Sequence, residues 1–530
     1  MASTTSQPDH AEYADYSTVE RWTIMAALML GALMQVIDTS IVNVAIPHMM
    51  GNLGATVDQI GWVSTGYIIS CVIVLPLTGW LSSTFGRKRY LTASIILFTA
   101  ASFFCGTSRS LNALVFFRVL QGIGGAALVS TAQATMMEIF PPQQLGMVQA
   151  IYGIGIMVGP TIGPTLGGWI TDNYSWPWVF FINIPIGALA VFLAYTFVHN
   201  SRFERTNNRV DLVGIALLAI GLGSLQTLLE KGNREDWFQS PLIVWLFITA
   251  LIGITTFVIW ELRQEHPAVN LHILKNKAFS AGVVFTAVVG FGLFGGTFVL
   301  PIYLQQLRNY TAEQSGFALF PGAIATAIMM AIAGRIANKY PARTLVFIGS
   351  GGIIVSMLML SRITLDTGPN DLWWPLIIRG AALGLNFLPL TLATLTILKG
   401  REIADGTGLF NLSRQIGGSL GIAILSTFID HRTTIHRASL VEHINVYSPE
   451  ALQRLHALQG AMMAKGASFA VARQQALAII DRIINAQASV MAFEDVFRVV
   501  AIVFLAGLPL LLLLKKGIAT SSHSGSTHAE

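Results

Sequence analysis

Of the 27 acidic residues in this chain of 530, only Asp38 stands well inside a long apolar run, in Leu33-Met-Gln-Val-Ile-Asp38-Thr-Ser-Ile-Val-Asn43. The others fall in polar stretches or at the ends of apolar ones. Burial raises a carboxylate's pKa and a neighbouring cation lowers it, so a group held between these effects can load and release protons near neutral pH. Arg118, Arg379 and Arg414 are cations in comparable settings. Asp38 lies nine residues before Pro47, and Arg118 lies seven after Leu111. At 1.5 Å per residue, both sit about 10–14 Å from one edge if the two runs are helices. Equal depth permits an ion pair. The alternative is an arginine tied to backbone carbonyls that locks two helices together. Gln121 and Gly122 follow one turn on, where the glycine admits a close neighbour. Gln121, Arg379 and Arg414 suit either a substrate or gating role or simple packing.

A second set of residues has mechanical consequences. In Gly155-Ile-Met-Val-Gly159-Pro160-Thr-Ile-Gly163-Pro164, small residues four apart let helix backbones touch, and the prolines interrupt the backbone ladder so that the helix can bend. In Gly79-Trp-Leu-Ser-Ser-Thr-Phe-Gly86-Arg-Lys-Arg89, the glycines allow a sharp turn, and Arg87, Lys88 and Arg89 face anionic headgroups or cap helix ends. Gly79, Gly86, Arg87 and Arg89 suit a gating loop, or topology alone accounts for the basic cluster. Trp62, Tyr67, Phe291, Phe294 and Phe298 are candidates for lining a cavity that takes flat apolar ligands. No catalytic or metal-binding constellation accompanies these residues. All eleven histidines lie outside the apolar runs, Cys71 and Cys105 lie inside them, and there is no nucleotide-binding loop. Enzymatic chemistry, a bound cofactor and ATP hydrolysis therefore lack residues to perform them, and an ion gradient must supply the energy.

The elements that position these residues follow from composition. Charged residues are 11% of the chain and hydrophobic ones 53%, which excludes a string of soluble domains. Apolar runs long enough to cross a bilayer occur near 22–47, 59–82, 90–107, 111–137, 146–170, 178–198, 211–230, 241–261, 279–304, 315–336, 344–362, 372–398, 405–429 and 495–514. Loops on the N-terminal side hold sixteen basic residues, among them Arg202, Arg205, Arg209, Lys515 and Lys516, against five in the short loops opposite. By the positive-inside rule both termini are cytoplasmic. The net charge of +5 thus reports topology and not nucleic-acid binding.

The chain also repeats. Gly334-Arg-Ile-Ala-Asn338-Lys-Tyr-Pro-Ala-Arg343 after the tenth run echoes Gly79–Arg89 after the second, and Arg379 enters the twelfth run at the depth at which Arg118 enters the fourth. Two halves of six spans with a pair inserted between them are the expected architecture. The boundaries are a tail at 1–21, a first half at 22–198, a linker with the inserted pair at 199–278, a second half at 279–514 and a tail at 515–530.

These motifs resemble those of the major facilitator superfamily, and within it the fourteen-span drug/proton antiporters of the EmrB/QacA type. Leu33 to Pro47 is similar to their first-span signature, Gly79 to Arg89 to the superfamily loop motif, Arg118-Val-Leu-Gln121-Gly122 to the fourth-span motif, and Gly155 to Pro164 to the fifth-span antiporter signature. One departure is Ser83, which stands at the loop motif's acidic position, with Asn338 in its echo; a charge relay through that loop is not carried over. The resemblance implies an all-α integral membrane protein of the facilitator fold in a bacterial inner membrane. It implies proton-coupled efflux of amphiphilic drugs or toxic compounds by alternating access, with Asp38 and Arg118 in proton coupling. A carrier for one metabolite, fatty acid, siderophore or lipid is the other reading.

Residues 430–494 are too polar to span. Leu452, Leu455, Leu458, Met462, Leu477, Ile480 and Ile484 recur at near-helical spacing there, which predicts amphipathic helices lying on the outer face. A loop of this kind resembles that of the inner-membrane component of tripartite pumps. It implies a periplasmic adaptor and an outer-membrane channel as partners.

Overall fold

A computed structural model describes residues 16–200, 211–337, 339–445 and 447–514. Most of the two expected tails, Arg202, Arg205, Arg209, Lys515, Lys516 and Asn338 lie outside the described residues. Fifteen helices account for nearly all of the rest: α1 (Thr18–Leu53), α2 (Val57–Phe85), α3 (Arg87–Thr107), α4 (Leu111–Ile139), α5 (Pro142–Asn173), α6 (Trp178–Phe197), α7 (Leu212–Lys231), α8 (Pro241–Arg263), α9 (Lys277–Leu307), α10 (Ala312–Ile336), α11 (Ala342–Leu360), α12 (Pro369–Leu395), α13 (Glu402–Glu442), α14 (Pro449–Ala464) and α15 (Phe469–Gly507). All but α14 are long and apolar enough to span a membrane, counting the bent α5 as one of the 14. No strand occurs among the described residues.

Local chemistry sets the helix ends. Ser17 and Glu20 form a capping box at the start of α1, Thr311 and Gln314 another before α10, and Asp211 caps α7 through Gly214 N–H at 2.9 Å. Gly86 separates α2 from α3 at φ 84°, a conformation open to glycine and costly for other residues. Pro76 turns the middle of α2 into a short 3₁₀ segment, and α5 bends by 45° beside Pro160.

The helices pack as two similar groups. In the first half α1 packs on α5 and α6, α4 on α2 and α3, and α3 on α6. In the second, α9 packs on α13 and α15, α12 on α10 and α11, and α11 on α15. The halves meet where the second helix of one packs against the fifth of the other, α2 on α13 and α5 on α10. Backbones nearly touch at the end of the bundle that carries the Gly79–Arg89 loop. A Cβ on Gly146 would come 2.6 Å from the Gly334 oxygen, one on Gly408 2.7 Å from the Leu75 oxygen, and one on Gly79 2.7 Å from Asp405 Cα. The halves are therefore sealed against each other at this end. At the opposite end the inserted pair bridges them. Lys231 lies over the Trp62 ring at 4.5 Å, while Trp237 Nε1 donates to Thr427 Oγ1 at 2.8 Å and Gln226 Nε2 to Ser419 Oγ at 2.9 Å.

The outer segment differs from expectation. Hydropathy marks breaks at 430 and 494, yet α13 runs unbroken to Glu442 and α15 starts at Phe469. Both helices are roughly twice the length a bilayer core needs, so they rise out of it as a hairpin instead of lying on the outer face. Charged residues end the apolar run without ending the helix, because they pair across the hairpin: Arg432 and His436 with Asp495, and Arg437 with Asp481 at 2.7 Å. The short α14 packs along α15, with Leu452, Leu455 and Leu458 half-buried.

Candidate functional site

Asp38 is completely buried, and five helices of the first half converge on it. Arg118 Nη1 of α4 donates to Asp38 Oδ2 at 2.5 Å and to Gln121 Oε1 at 2.8 Å, while its Nε donates to the Val63 oxygen of α2 at 3.0 Å. The other carboxylate oxygen accepts from Gln121 Nε2 at 2.9 Å and from Asn183 Nδ2 of α6 at 3.0 Å. Ser102 of α3 accepts from both amides, at 3.2 and 3.0 Å, and gives its own proton to the Phe180 oxygen at 2.9 Å. The Tyr67 ring covers the guanidinium with its centroid 4.1 Å from Cζ. The pair and the carbonyl anchor foreseen as alternatives for Arg118 are thus both present. Buried ion pairs are tolerable only when their remaining donors and acceptors are satisfied, and here the amides and hydroxyl do that. The proton of an acid at this position would have to displace Arg118 or one of the amides.

Glycines of the α5 motif lie against the helix that carries Asp38. A Cβ on Gly159 would fall 2.6 Å from Val36 Cγ1, one on Gly155 3.1 Å from Leu33 Cδ2, and one on Gly163 inside the Ser40 side chain. Pro160 and Pro164 lie within the same helix. Since α5 packs on α1 with one side and on α10 of the other half with the other, it links the Asp38 helix to the contact between halves. Gly122 receives the backbone of α2 at Tyr67, as its type suggests.

The loop motif differs from its sequence reading in one respect. Arg87 is buried and paired with Glu138 at the end of α4, so it does not face headgroups. Lys88 lies over Tyr195 at 5.1 Å, and Arg89 is exposed. In the second half Arg379 reaches α9 as Arg118 reaches α1, but among the described residues it donates only to the Thr297 hydroxyl at 3.2 Å and the Leu293 oxygen at 3.5 Å. Arg414 donates to Asn411 Oδ1 at 2.7 Å and faces the Phe387 ring at 5.3 Å. Of the aromatic candidates, Tyr67 belongs to the Arg118 site, Trp62 holds Lys231, and Phe294 packs on Gly418. No group of three or more metal-ligating side chains occurs among the described residues.

A family model described as Major Facilitator Superfamily matches residues 28–422. The multidrug export protein EmrB of Escherichia coli K12 is 35% identical over 505 residues, 95% of this chain and 97% of that one. This chain belongs to the major facilitator superfamily, among the EmrB-type transporters. The fatty acid resistance protein FarB of Neisseria gonorrhoeae is 33% identical over 93% of this chain and 96% of its own length. At the level of fold, the human organic anion transporter MFSD10 matches with a TM-score of 0.58 at 14% identity, covering 91% of this chain and 99% of that one. The proton:xylose symporter XylE matches at 0.56 and 13%, over 92% and 95%. A member of this superfamily is a transporter and not an enzyme.

Sequence reading of this facilitator missed Asn183, Ser102 and the Val63 carbonyl. Asn183 is the only one with a signal of its own, as an amide amid Val-Phe-Phe-Ile-Asn-Ile-Pro. The α1–α5 contact carries a prediction. Gly159→Val should force the two helices apart and abolish transport while leaving the protein monodisperse in detergent. Gly168→Ala, whose Cβ would meet only Val44 at 3.9 Å, should transport normally. Equal transport by both variants in proteoliposomes would show that close α1–α5 contact is not required.

Proposed function

We propose that this facilitator exports amphiphilic drugs or toxic compounds from a bacterial cell in exchange for protons, across the inner membrane and by alternating access. Asp38 is the proton carrier, and Arg118 is its counter-ion. The observation that carries this is the enclosure of Asp38, the one carboxylate well inside a span among the described residues, by a guanidinium and two amides in the first half. An ionisable group at that depth is expensive and is kept for function. Protonation of Asp38 releases Arg118, loosens α1 from α4, and reaches the contact between halves through α5. The halves at 22–198 and 279–514 then rock about α5–α10 and α2–α13, and the seal at Gly79, Gly146 and Gly408 opens. Both termini and the Gly79–Arg89 loop, with its basic cluster, belong on the cytoplasmic side. Similarity to EmrB supports a drug as cargo. Similarity to FarB favours the second reading, a fatty acid or related metabolite. Everted vesicles test the proposal: the parent protein should give proton release on adding a drug, and a gradient that drug addition never discharges would reject it.

The hairpin above α13 and α15 is the proposed seat of a periplasmic adaptor that hands cargo to an outer-membrane channel. Tyr447, in the turn before α14, and Phe469, at the start of α15, are exposed at 89% and 63% and offer a partner apolar surface. Replacing both with Ser should leave melting and proteoliposome transport unchanged and sharply reduce co-purification with the adaptor. Undiminished co-purification would move the docking site elsewhere.

A further inference from the structure

Buried polar groups left over by the Asp38 network collect where the two halves meet. Arg414 has its Nη1 buried without a partner, and no carboxylate among the described residues pairs with it. Across the interface lies Tyr152 of α5, close enough to act on it electrostatically. Asn411, which accepts from Arg414, donates to Gln133 Oε1 of α4 at 2.9 Å and to Ser130 Oγ at 3.3 Å. Gln133 Nε2 is itself buried and unpartnered. So are both amide atoms of Gln149, which lies one turn before Tyr152 on the same side of α5. Gln133 and Gln149 are each 1% exposed. Buried polar atoms are nearly always paired, so a cluster of unpaired ones in a transporter calls for a ligand that meets them in another step of the cycle.

Charge narrows that ligand. Asp38 has both oxygens occupied inside the first half, so it is not open to a cationic guest. The interface instead offers a guanidinium, amide donors and the Phe387 ring. We propose that Arg414, Gln149, Gln133 and Phe387 form the substrate site, and that it selects amphiphiles with an oxyanion head, such as a carboxylate, over cationic ones. A guanidinium suits such a head because its planar fork matches two oxygens at once. The proposal rests on the export reading above and gives its cargo a charge.

The test compares two fluorescent probes with one apolar body: 1-pyrenebutanoate and pyrenebutyl-trimethylammonium. Purified parent protein should bind the acid about tenfold more tightly or better and release protons on its addition in proteoliposomes. Arg414→Gln should lose the preference, and Arg414→Lys should retain part of it. Equal or tighter binding of the cation by the parent overturns the proposal. So does a folded Arg414→Gln variant that still prefers the acid. If Arg414→Gln fails to fold, the parent's charge preference and its weakening in Arg414→Lys decide the matter. Proton release driven by the cation alone would leave export standing and remove the anionic cargo. Binding of the acid without proton release by any compound would keep the site and reject proton-coupled export.

Discussion

Asp38→Asn is expected to reduce drug-induced proton release to the level of empty vesicles, with the protein still folded and inserted. The asparagine keeps the shape of the carboxylate but has no proton to give up in the working pH range. Its Oδ1 can still accept from Arg118. Its Nδ2 would point a donor at Gln121 Nε2 or Asn183 Nδ2, which already donate to this position. One unsatisfied donor costs about 1–3 kcal/mol, a modest fall in melting temperature beside a complete loss of coupling. Downhill exchange of drug without protons can survive in this variant, since alternating access does not itself need the charge. Parent-like proton release from Asp38→Asn would remove Asp38 as the carrier.

Arg118→Ala carries the largest expected loss of stability. It leaves the Asp38 carboxylate buried at 0% exposure beside Gln121 and Asn183 alone, and it strips the Val63 oxygen of its donor. Removing one member of a buried pair costs about 3–5 kcal/mol, because the other remains charged and unsolvated. Combining Arg118→Ala with Asp38→Asn removes that stranded charge. The double variant should therefore be destabilised by about 1–3 kcal/mol less than the two single changes add up to. Unfolding titrations in mixed micelles on all four proteins measure the difference. Strict additivity would mean that Arg118 matters only through its carbonyl anchor and cavity, not through the pair. Proton-coupled transport should be absent from all three variants, whatever their stability.

Much of the architecture follows from sequence because the bilayer makes length and charge decisive. Each run of about 20 apolar residues must become a helix that satisfies its own backbone. The echo of Gly79–Arg89 at Gly334–Arg343 and of Arg118 at Arg379 points to two halves in the sequence itself. Asp38 is legible for the same reason, as a charge where charge is costly, and its depth relative to Arg118 follows from the helical rise alone. Tertiary structure decided matters in which residues distant along the chain must meet. Asn183 lies 145 residues from Asp38, and a polar side chain near a helix start gives no sign of which neighbour it will face. Arg87 turned inward because Glu138, at the far end of another span, lies within reach of it, whereas a basic cluster read alone suggests headgroups. The hairpin of α13 and α15 was hidden because hydropathy reports where lipid ends and not where a helix ends. The pairing of Arg432, His436 and Arg437 with aspartates across the hairpin carries the helices on into water. Which face of α5 turns to α1 and which to α10 likewise depends on the assembled bundle, because small residues permit contact on every side and only the neighbours select one.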